Sequence, residues 1–348
     1  MKSKIIFVFC LLALQVNGQE NLAIKKEINQ IIRYETNIDY KETPGFVVSM
    51  IDHDSVYYFS FGKRSVEDQL PIKYEDVFEL GGTTKMLAGL IFEKIKDEYK
   101  IDLYRSINDY LPVKNLSFAN CSLHQLLTHT SGLPKYIPGW GALEKTTDDP
   151  YSSFNQSDLE EFYTTFKLNN SDTTKYLYSH LNFILLDWVL RHNTRKKMDE
   201  HARAELNMEI GQKPTVPGYT KSMKISTVWD PNLFFGSLGA SSSLLDITKL
   251  CKYLLKEGNA DSQHFFEIKK MEVRNKNGYV AKGMQVIPLS KNKFMFFHTG
   301  RTEGHYSFVG LIPATKTAVV ILANSSIGAD LLGVNILRMM NQNWRRKE

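Results

Sequence analysis

Strand-forming runs stand at both ends of this 348-residue chain and helical ones fill the middle, an order that constrains the fold more than any single motif. Phe46 to Ile51 and Val56 to Phe61 are rich in β-branched and aromatic residues. Asp52-His53-Asp54-Ser55 separates them, so the pair reads as a hairpin, closed by Gly62. Far downstream, Tyr279 to Val286, Lys293 to His298, His305 to Ile312 and Ala318 to Leu322 read as successive strands, with the turn Pro313-Ala314-Thr315-Lys316 joining the last two. Between these groups the apolar spacing turns helical. Leu87, Leu90, Ile91 and Ile95 form one stripe, and Ser122 caps a short helix that stops at Ser131-Gly132-Leu133-Pro134. Asp158 to Lys167, Leu181 to Leu190 and Leu244 to Leu255 continue the pattern. Helices also open the folded chain, through Ile24, Ile28 and Ile31, and close it, from about Ile327 to Trp344. The order predicts an α+β fold, with an antiparallel sheet drawn from both chain ends, covered by the terminal helices. A helical subdomain (about 83–224) is inserted between sheet portions at about 19–82 and 225–348. A ligand cleft is expected between the two parts.

At 43% hydrophobic and 23% charged, the composition is that of a globular protein. Residues 1–18 read as a secretory signal: Lys2 and Lys4 precede the apolar run Ile5 to Leu14, and Val16-Asn17-Gly18 offers a cleavage site before Gln19. The run is shorter than the roughly 20 residues needed to span a bilayer, so no stable membrane anchor is expected. Cys10 lies inside the apolar run, where it does not suit lipidation. A periplasmic or secreted location follows. Removing the two signal lysines takes the formal charge from +5 to +3, too small to suggest nucleic acid as a partner. Cys121 and Cys251 are far apart in apolar helical patterns and read as buried thiols.

The stretch Phe78-Glu79-Leu80-Gly81-Gly82-Thr83-Thr84-Lys85-Met86 leads into the helix that begins the middle section. Taken with several later motifs, it resembles the serine β-lactamase and penicillin-binding-protein superfamily, in the branch of class C β-lactamases, D-Ala-D-Ala carboxypeptidases and related esterases. Pro44-Gly45-Phe46-Val47-Val48 is similar to the family's first hairpin. Leu126-Leu127-Thr128-His129-Thr130-Ser131-Gly132-Leu133-Pro134 is similar to a recognisable signature of the family. Leu206-Asn207-Met208, His298-Thr299-Gly300, Gly304, Pro313 and Leu322-Ala323-Asn324 follow in the family's order. The resemblance covers nearly the whole chain after the signal.

The resemblance implies a Ser-x-x-Lys motif opening a helix, a Tyr-x-Asn motif and a Lys/His-Thr-Gly strand. Residues three apart share a helix face, so the lysine reaches the serine hydroxyl. Two backbone N–H groups would form an oxyanion hole. Carried across position by position, Lys85 matches the lysine and Gly82 stands where the serine is expected. Tyr178 matches the tyrosine, and His180 stands where the asparagine is expected. His298, Thr299 and Gly300 match the strand motif, and the amides of Gly82 and Arg301 would be the oxyanion donors. Glycine has no side chain to acylate. Thr83 and Thr84 lie about 200° and 100° around a helix from Lys85 and present no hydroxyl at the vacant position. Ser179 is expected to point away from the cleft.

Two functional expectations follow. One is an extracytoplasmic protein that has lost covalent catalysis and binds a small molecule or peptide, peptidoglycan-derived peptides being the example the resemblance suggests. The other is a non-covalent hydrolase of an ester, amide or lactam, in which Lys85 or Tyr178 activates a water held in the space vacated by the serine. No cofactor is implied. A protonated lysine beside His180, His298 and Tyr178 does not make a metal site. His129 is read as a turn buttress.

Overall fold

The computed structural model describes residues 21–39, 41–138, 149, 151–152, 154–169, 175–273 and 276–341. The expected signal at 1–18, with Cys10, and the end of the terminal helix near Trp344 lie outside them. β1 (Gly45–Asp52) and β2 (Ser55–Gly62) form the hairpin, with Ser49 opposite Tyr58. Six further strands follow late in the chain: β5 (Lys269–Val273), β6 (Lys276–Ala281), β7 (Met284–Ser290), β8 (Lys293–Arg301), β9 (Tyr306–Ile312) and β10 (Thr317–Ala323). They join the hairpin in one antiparallel sheet of order β2-β1-β10-β9-β8-β7-β6-β5. The two chain ends meet where β1 pairs with β10, from Phe46 opposite Ala323 to Asp52 opposite Thr317. Asn324 fastens this junction: its Oδ1 accepts from Gly45 N at 2.8 Å and its Nδ2 donates to Arg64 O at 2.8 Å.

Strand periodicity divides the core in two. Phe46, Val48 and Met50 of β1, with Val319 and Ile321 of β10, face α1 (Leu22–Glu35) and the C-terminal helix Asp330–Met340. The cap of α1 is Asn21, whose Oδ1 accepts from Ala23 N and Ile24 N. The intervening residues Val47, Ile51, Val320 and Leu322 face the helical middle of the chain. One continuous apolar core runs from them into α2 (Thr84–Ile95), α3 (Leu123–Leu127), α4 (Gln156–Thr165) and α5 (His180–Thr194). Ser122 caps α3 through a reciprocal capping box with Gln125. Cys121 and Cys251 are buried free thiols, and burial pushes both up to about 12.

Two sequence expectations need correction, and three elements carry no signal in the sequence. The single strand expected over Tyr279 to Val286 is two strands, β6 and β7, folded back at Lys282-Gly283. Gly283 has φ +66°, and a Cβ there would overlap the carbonyl of Lys85, so the turn presses directly on α2. The terminal helix starts at Asp330 rather than near Ile327. Two short helices, α6 (Met198–Leu206) and α8 (Ala260–Phe265), and the edge strand β5 carry too few apolar residues to show a period. Between α6 and α8 lie the short strand β4 (Ser241–Ser243), which pairs with β3 (Val77–Glu79) ahead of α2, and the expected helix α7 (Leu244–Leu255). We number the C-terminal helix Asp330–Met340 α9.

The β6–β7 turn is also tied to α2 electrostatically. Lys282 Nζ lies 2.8 Å from Glu93 Oε1 in a charge contact, and donates to Glu267 Oε2 at 3.1 Å and to His264 O at 2.7 Å. The Lys282 and Glu93 side chains are 3% and 1% exposed, so removing one partner strands the other in a low dielectric. Lys282→Met is expected to cost about 3 kcal/mol in urea unfolding, at the low end for a buried pair because Lys96 still holds Glu93 at 2.7 Å. A loss under about 1 kcal/mol would show that the turn does not depend on this pair.

Candidate functional site

The entrance to α2 is a single 3₁₀ turn, Gly81–Thr83, that continues directly into the helix. Leu80 N donates to Ala240 O at 2.8 Å, which continues the β3–β4 pairing up to the turn. Both threonine hydroxyls are committed to structure. Thr84 Oγ1 donates to Gly81 O at 2.7 Å and accepts from Ala240 N at 3.1 Å. Ser307 Oγ donates to Leu80 O at 2.7 Å, so the 2.7 Å bond between Thr83 and Ser307 is a donation from Thr83. Ser179 is the N-cap of α5: its hydroxyl donates to Pro134 O at 2.6 Å and accepts from Asn182 N at 3.3 Å.

β8 ends against this entrance. Its register sets His298 opposite Val309, Thr299 opposite Phe308 and Gly300 opposite Ser307, with the exposed Arg301 opposite Tyr306. A Cβ on Gly300 would run into the carbonyl of Leu80. A Cβ on Gly82 would sit 2.7 Å from Thr299 O and 3.1 Å from His298 Cε1. The contact at Thr299 is with backbone, so a side chain at Gly82 has to move the strand. His298 Nδ1 donates to Thr299 O at 2.7 Å, which turns the ring's Cε1 edge toward Gly82.

One turn into α2, Lys85 is fully buried. Its Nζ donates to Ser237 O at 2.6 Å and lies 3.3 Å from His180 Nδ1. It also lies 5.2 Å and 5.7 Å from the ring centroids of Tyr178 and Phe183. His180, the first residue of α5, bonds Ser237 Oγ through Nδ1 at 2.8 Å and stacks on Tyr136 with centroids 4.8 Å apart and planes at 7°. Tyr178 stands edge-on to His180 at 5.3 Å, 6.4 Å from His298 and 4.6 Å from His129. The structure thus brings Lys85, Tyr178, His180 and His298 into one cluster at Gly82. Behind them, His129 takes φ +57° and accepts from Ser179 N at 3.1 Å.

Desolvation sets the charge state of this cluster. Burial drives Lys85 well below the usual lysine range, and the Lys135 charge pushes it the same way. Burial and the Lys85 charge hold His129 and His180 well below the usual histidine range, and lower His298 to about 3. Burial raises the Tyr178 hydroxyl, which stays protonated. The rings are neutral near pH 7, and the charged side chains that bear on Lys85 and His180 are cationic. A cavity of about 790 Å³ lined by Glu79, Asp187, Arg191, Trp229 and Phe235 lies elsewhere; none of Lys85, Tyr178, His180 or His298 forms its walls. Volume and chemistry point to different places, and the converging polar groups are the better guide to a reactive site.

Ser237 and Tyr136 were not singled out in the sequence. Ser237 lies in a π-helical turn, Phe235–Gly239, that reads only as the lead-in to α7, and it acts on Lys85 through a backbone carbonyl. Glu79 was missed too. Its Oε2 accepts from Thr302 Oγ1 at 2.8 Å and from His305 Nδ1 at 2.9 Å, bracing the strand before Gly81 against the β8–β9 turn.

The depressed histidines make a signed prediction. A histidine whose folded pKa lies below its unfolded value binds more protons when unfolded, so stability is lost as pH falls through that window. For His298 the window runs from 6.5 down to about 3. Replacing it with Gln should make the fall in unfolding free energy between pH 6 and pH 4 shallower by about 1.4 kcal/mol per pH unit. Equal slopes in urea titrations of the two proteins would mean that folding does not lower the His298 pKa.

Comparison with known proteins identifies the family and the fold. The family model described as Beta-lactamase matches residues 32–339. A class C β-lactamase from Rhodobacter sphaeroides superposes with a TM-score of 0.75 at 17% identity, over 93% of this chain and 99% of that one. A β-lactamase/D-alanine carboxypeptidase from Pseudomonas syringae gives 0.76 at 16%, over 92% and 98%. Among curated relatives, protein flp of Staphylococcus aureus is 19% identical over 86% of this chain and 63% of its own length. The D-alanyl-D-alanine-carboxypeptidase/endopeptidase AmpH of Escherichia coli is 24% identical over 64% of this chain and 58% of its own. The chain thus spans less than two thirds of these curated relatives. With the family model spanning both the helix entrance and the strand that closes on it, this chain belongs to the Beta-lactamase family.

Proposed function

We propose that this protein is a catalytically impaired member of its family, working outside the cytoplasm, that keeps the cleft at Lys85 to bind a small-molecule or peptide ligand. The observation that carries this reading is the backbone packing at Gly82. The residue three before Lys85 has no side chain, and strand β8 already occupies the approach a Cβ would need, with Thr299 O at 2.7 Å. The glycine is therefore part of a settled packing arrangement. Lys85, Tyr178, His180, His298, Thr299 and Gly300 are the ligand-facing groups of this reading, with the Gly82 and Arg301 amides as donors and the Arg301 side chain at the rim. The Lys135 charge that bears on Lys85 and His180 favours a ligand with a negative group. The D-alanyl-D-alanine carboxypeptidase/endopeptidase activity of the relative AmpH makes a peptidoglycan-derived peptide the leading class.

Export rests on the charged start and apolar run of residues 1–18, and among the described residues no helix is long and apolar enough to cross a membrane. The alternative, a non-covalent hydrolase, draws less support. Lys85 Nζ is committed to Ser237 O and His180, and the Tyr178 hydroxyl holds its proton.

The test is acylation. The protein is expected to show no labelling by a fluorescent penicillin and no turnover of a chromogenic cephalosporin. Gly82→Ser should lose about 1–3 kcal/mol of stability through overpacking and gain little or no label. Rapid labelling of either protein would overturn the proposal.

A further inference from the structure

Two hydrogen-bonding groups converge on His180 and set what it can offer a ligand, on the reading of this cluster as a ligand cleft. Two groups meet at His180 Nδ1: Ser237 Oγ at 2.8 Å and Lys85 Nζ at 3.3 Å. The Ser237 hydroxyl is fully buried, and among the described residues Nδ1 is the only acceptor within reach of its proton. Were Nδ1 protonated, it would donate to Ser237 and leave the serine proton buried without an acceptor, at about 1–3 kcal/mol. With the lone pair on Nδ1 the conflict vanishes: Ser237 donates into it, while the shorter bond of Lys85 goes to Ser237 O. A neutral imidazole has one proton, so it resides on Nε2.

We propose that Ser237 is a positioning residue that locks His180 as the Nε2–H tautomer, so that this position offers a ligand one hydrogen-bond donor and no acceptor. The stack on Tyr136 fixes the ring plane, the bond from His180 N to Lys135 O at 2.9 Å anchors the backbone that carries it, and Nε2 has no partner among the described residues. The matching ligand group is a carbonyl oxygen, from an amide or a carboxylate. An asparagine, the residue the family resemblance leads one to expect here, presents a donor and an acceptor together and would accept either polarity of ligand. His180 held by Ser237 accepts only one.

His298 carries the opposite tautomer on the same accounting. Its Nδ1 proton goes to Thr299 O, leaving a lone pair on Nε2. The two rings flank Tyr178 with complementary polarity.

The lock is read directly in the ligand-free protein by two-bond proton–nitrogen correlation of ¹⁵N-histidine-labelled samples at pH 7.5, with His180 assigned by its disappearance in His180→Gln. The expected result is a single neutral Nε2–H pattern for His180, which becomes a mixture of tautomers in Ser237→Ala. Ser237→Cys, which keeps a weaker donor, should fall between them, and thermal melts verify that each variant is folded. An Nδ1–H pattern in the parent protein, or an Nε2–H pattern unchanged in folded Ser237→Ala, overturns the proposal. Because no ligand is present, the tautomer result stands or falls separately from whether the cleft binds a peptide.

Discussion

The backbone seam between Leu80–Gly82 and Thr299–Arg301 is the contact on which the rest of this molecule depends. It joins the first turn of α2 to the last residues of β8, and so holds the helical middle of the chain to the sheet built from its two ends. Glycine makes the approach possible. At Gly300 a Cβ would collide with Leu80 O, and at Gly82 with Thr299 O. Side chains on either side then tie the seam: Ser307 and Thr83 across the sheet, Glu79 with His305 and Thr302 behind it. The interior of a protein is packed at crystal-like density, so a seam this close fixes its flanks as well. Lys85, one turn further on, inherits its position from it.

Burial then dictates what those side chains can be. An ammonium ion taken out of water without a paired carboxylate loses more solvation than carbonyl contacts return. Lys85 has Ser237 O, the edge of His180 and two aromatic rings, and its amine is pushed toward the neutral form. The neighbouring histidines follow, because the same low dielectric amplifies repulsion from any remaining positive charge. The cluster is therefore a set of fixed, mostly neutral dipoles. That suits recognition by polarity and shape, and it provides no carboxylate to take up a proton.

The architecture was legible in the sequence because its signals are local and repeated. The β1–β2 hairpin, the stripe of α2, the Ser122 cap and the β8–β10 strands each carry a period or a turn code that survives without tertiary information. The β6–β7 fold-back was lost because Lys282-Gly283 interrupts an apolar run with one unobtrusive glycine, whose positive φ and close approach to the Lys85 carbonyl, 198 positions away, only the fold reveals. The site divides in the same way. Lys85, Tyr178 and His298 announce themselves by motif. Ser237 contributes a carbonyl, which any residue could supply, and a buried hydroxyl that no motif marks. Tyr136 is one of 17 tyrosines, and only the fold shows that it lies flat on His180.

The two departures read from the sequence, glycine at 82 and histidine at 180, meet at a single nitrogen. A lysine that lost a hydroxyl partner in a closed site would be left with an unfilled direction, and an orphaned buried amine costs as much as the bond it lost. In this chain Lys85 Nζ is satisfied without any group at position 82: Ser237 O takes its shorter bond, and His180 Nδ1 lies on the remaining side. Under the proposed reading the histidine is thus more than drift. Its ring is longer than an asparagine amide, reaches Ser237 and Lys85 together, and is braced by Tyr136 where a smaller side chain would swing. The absence at Gly82 is stable because strand β8 closes over it from one side and because His180 completes the polar shell of Lys85 on the other.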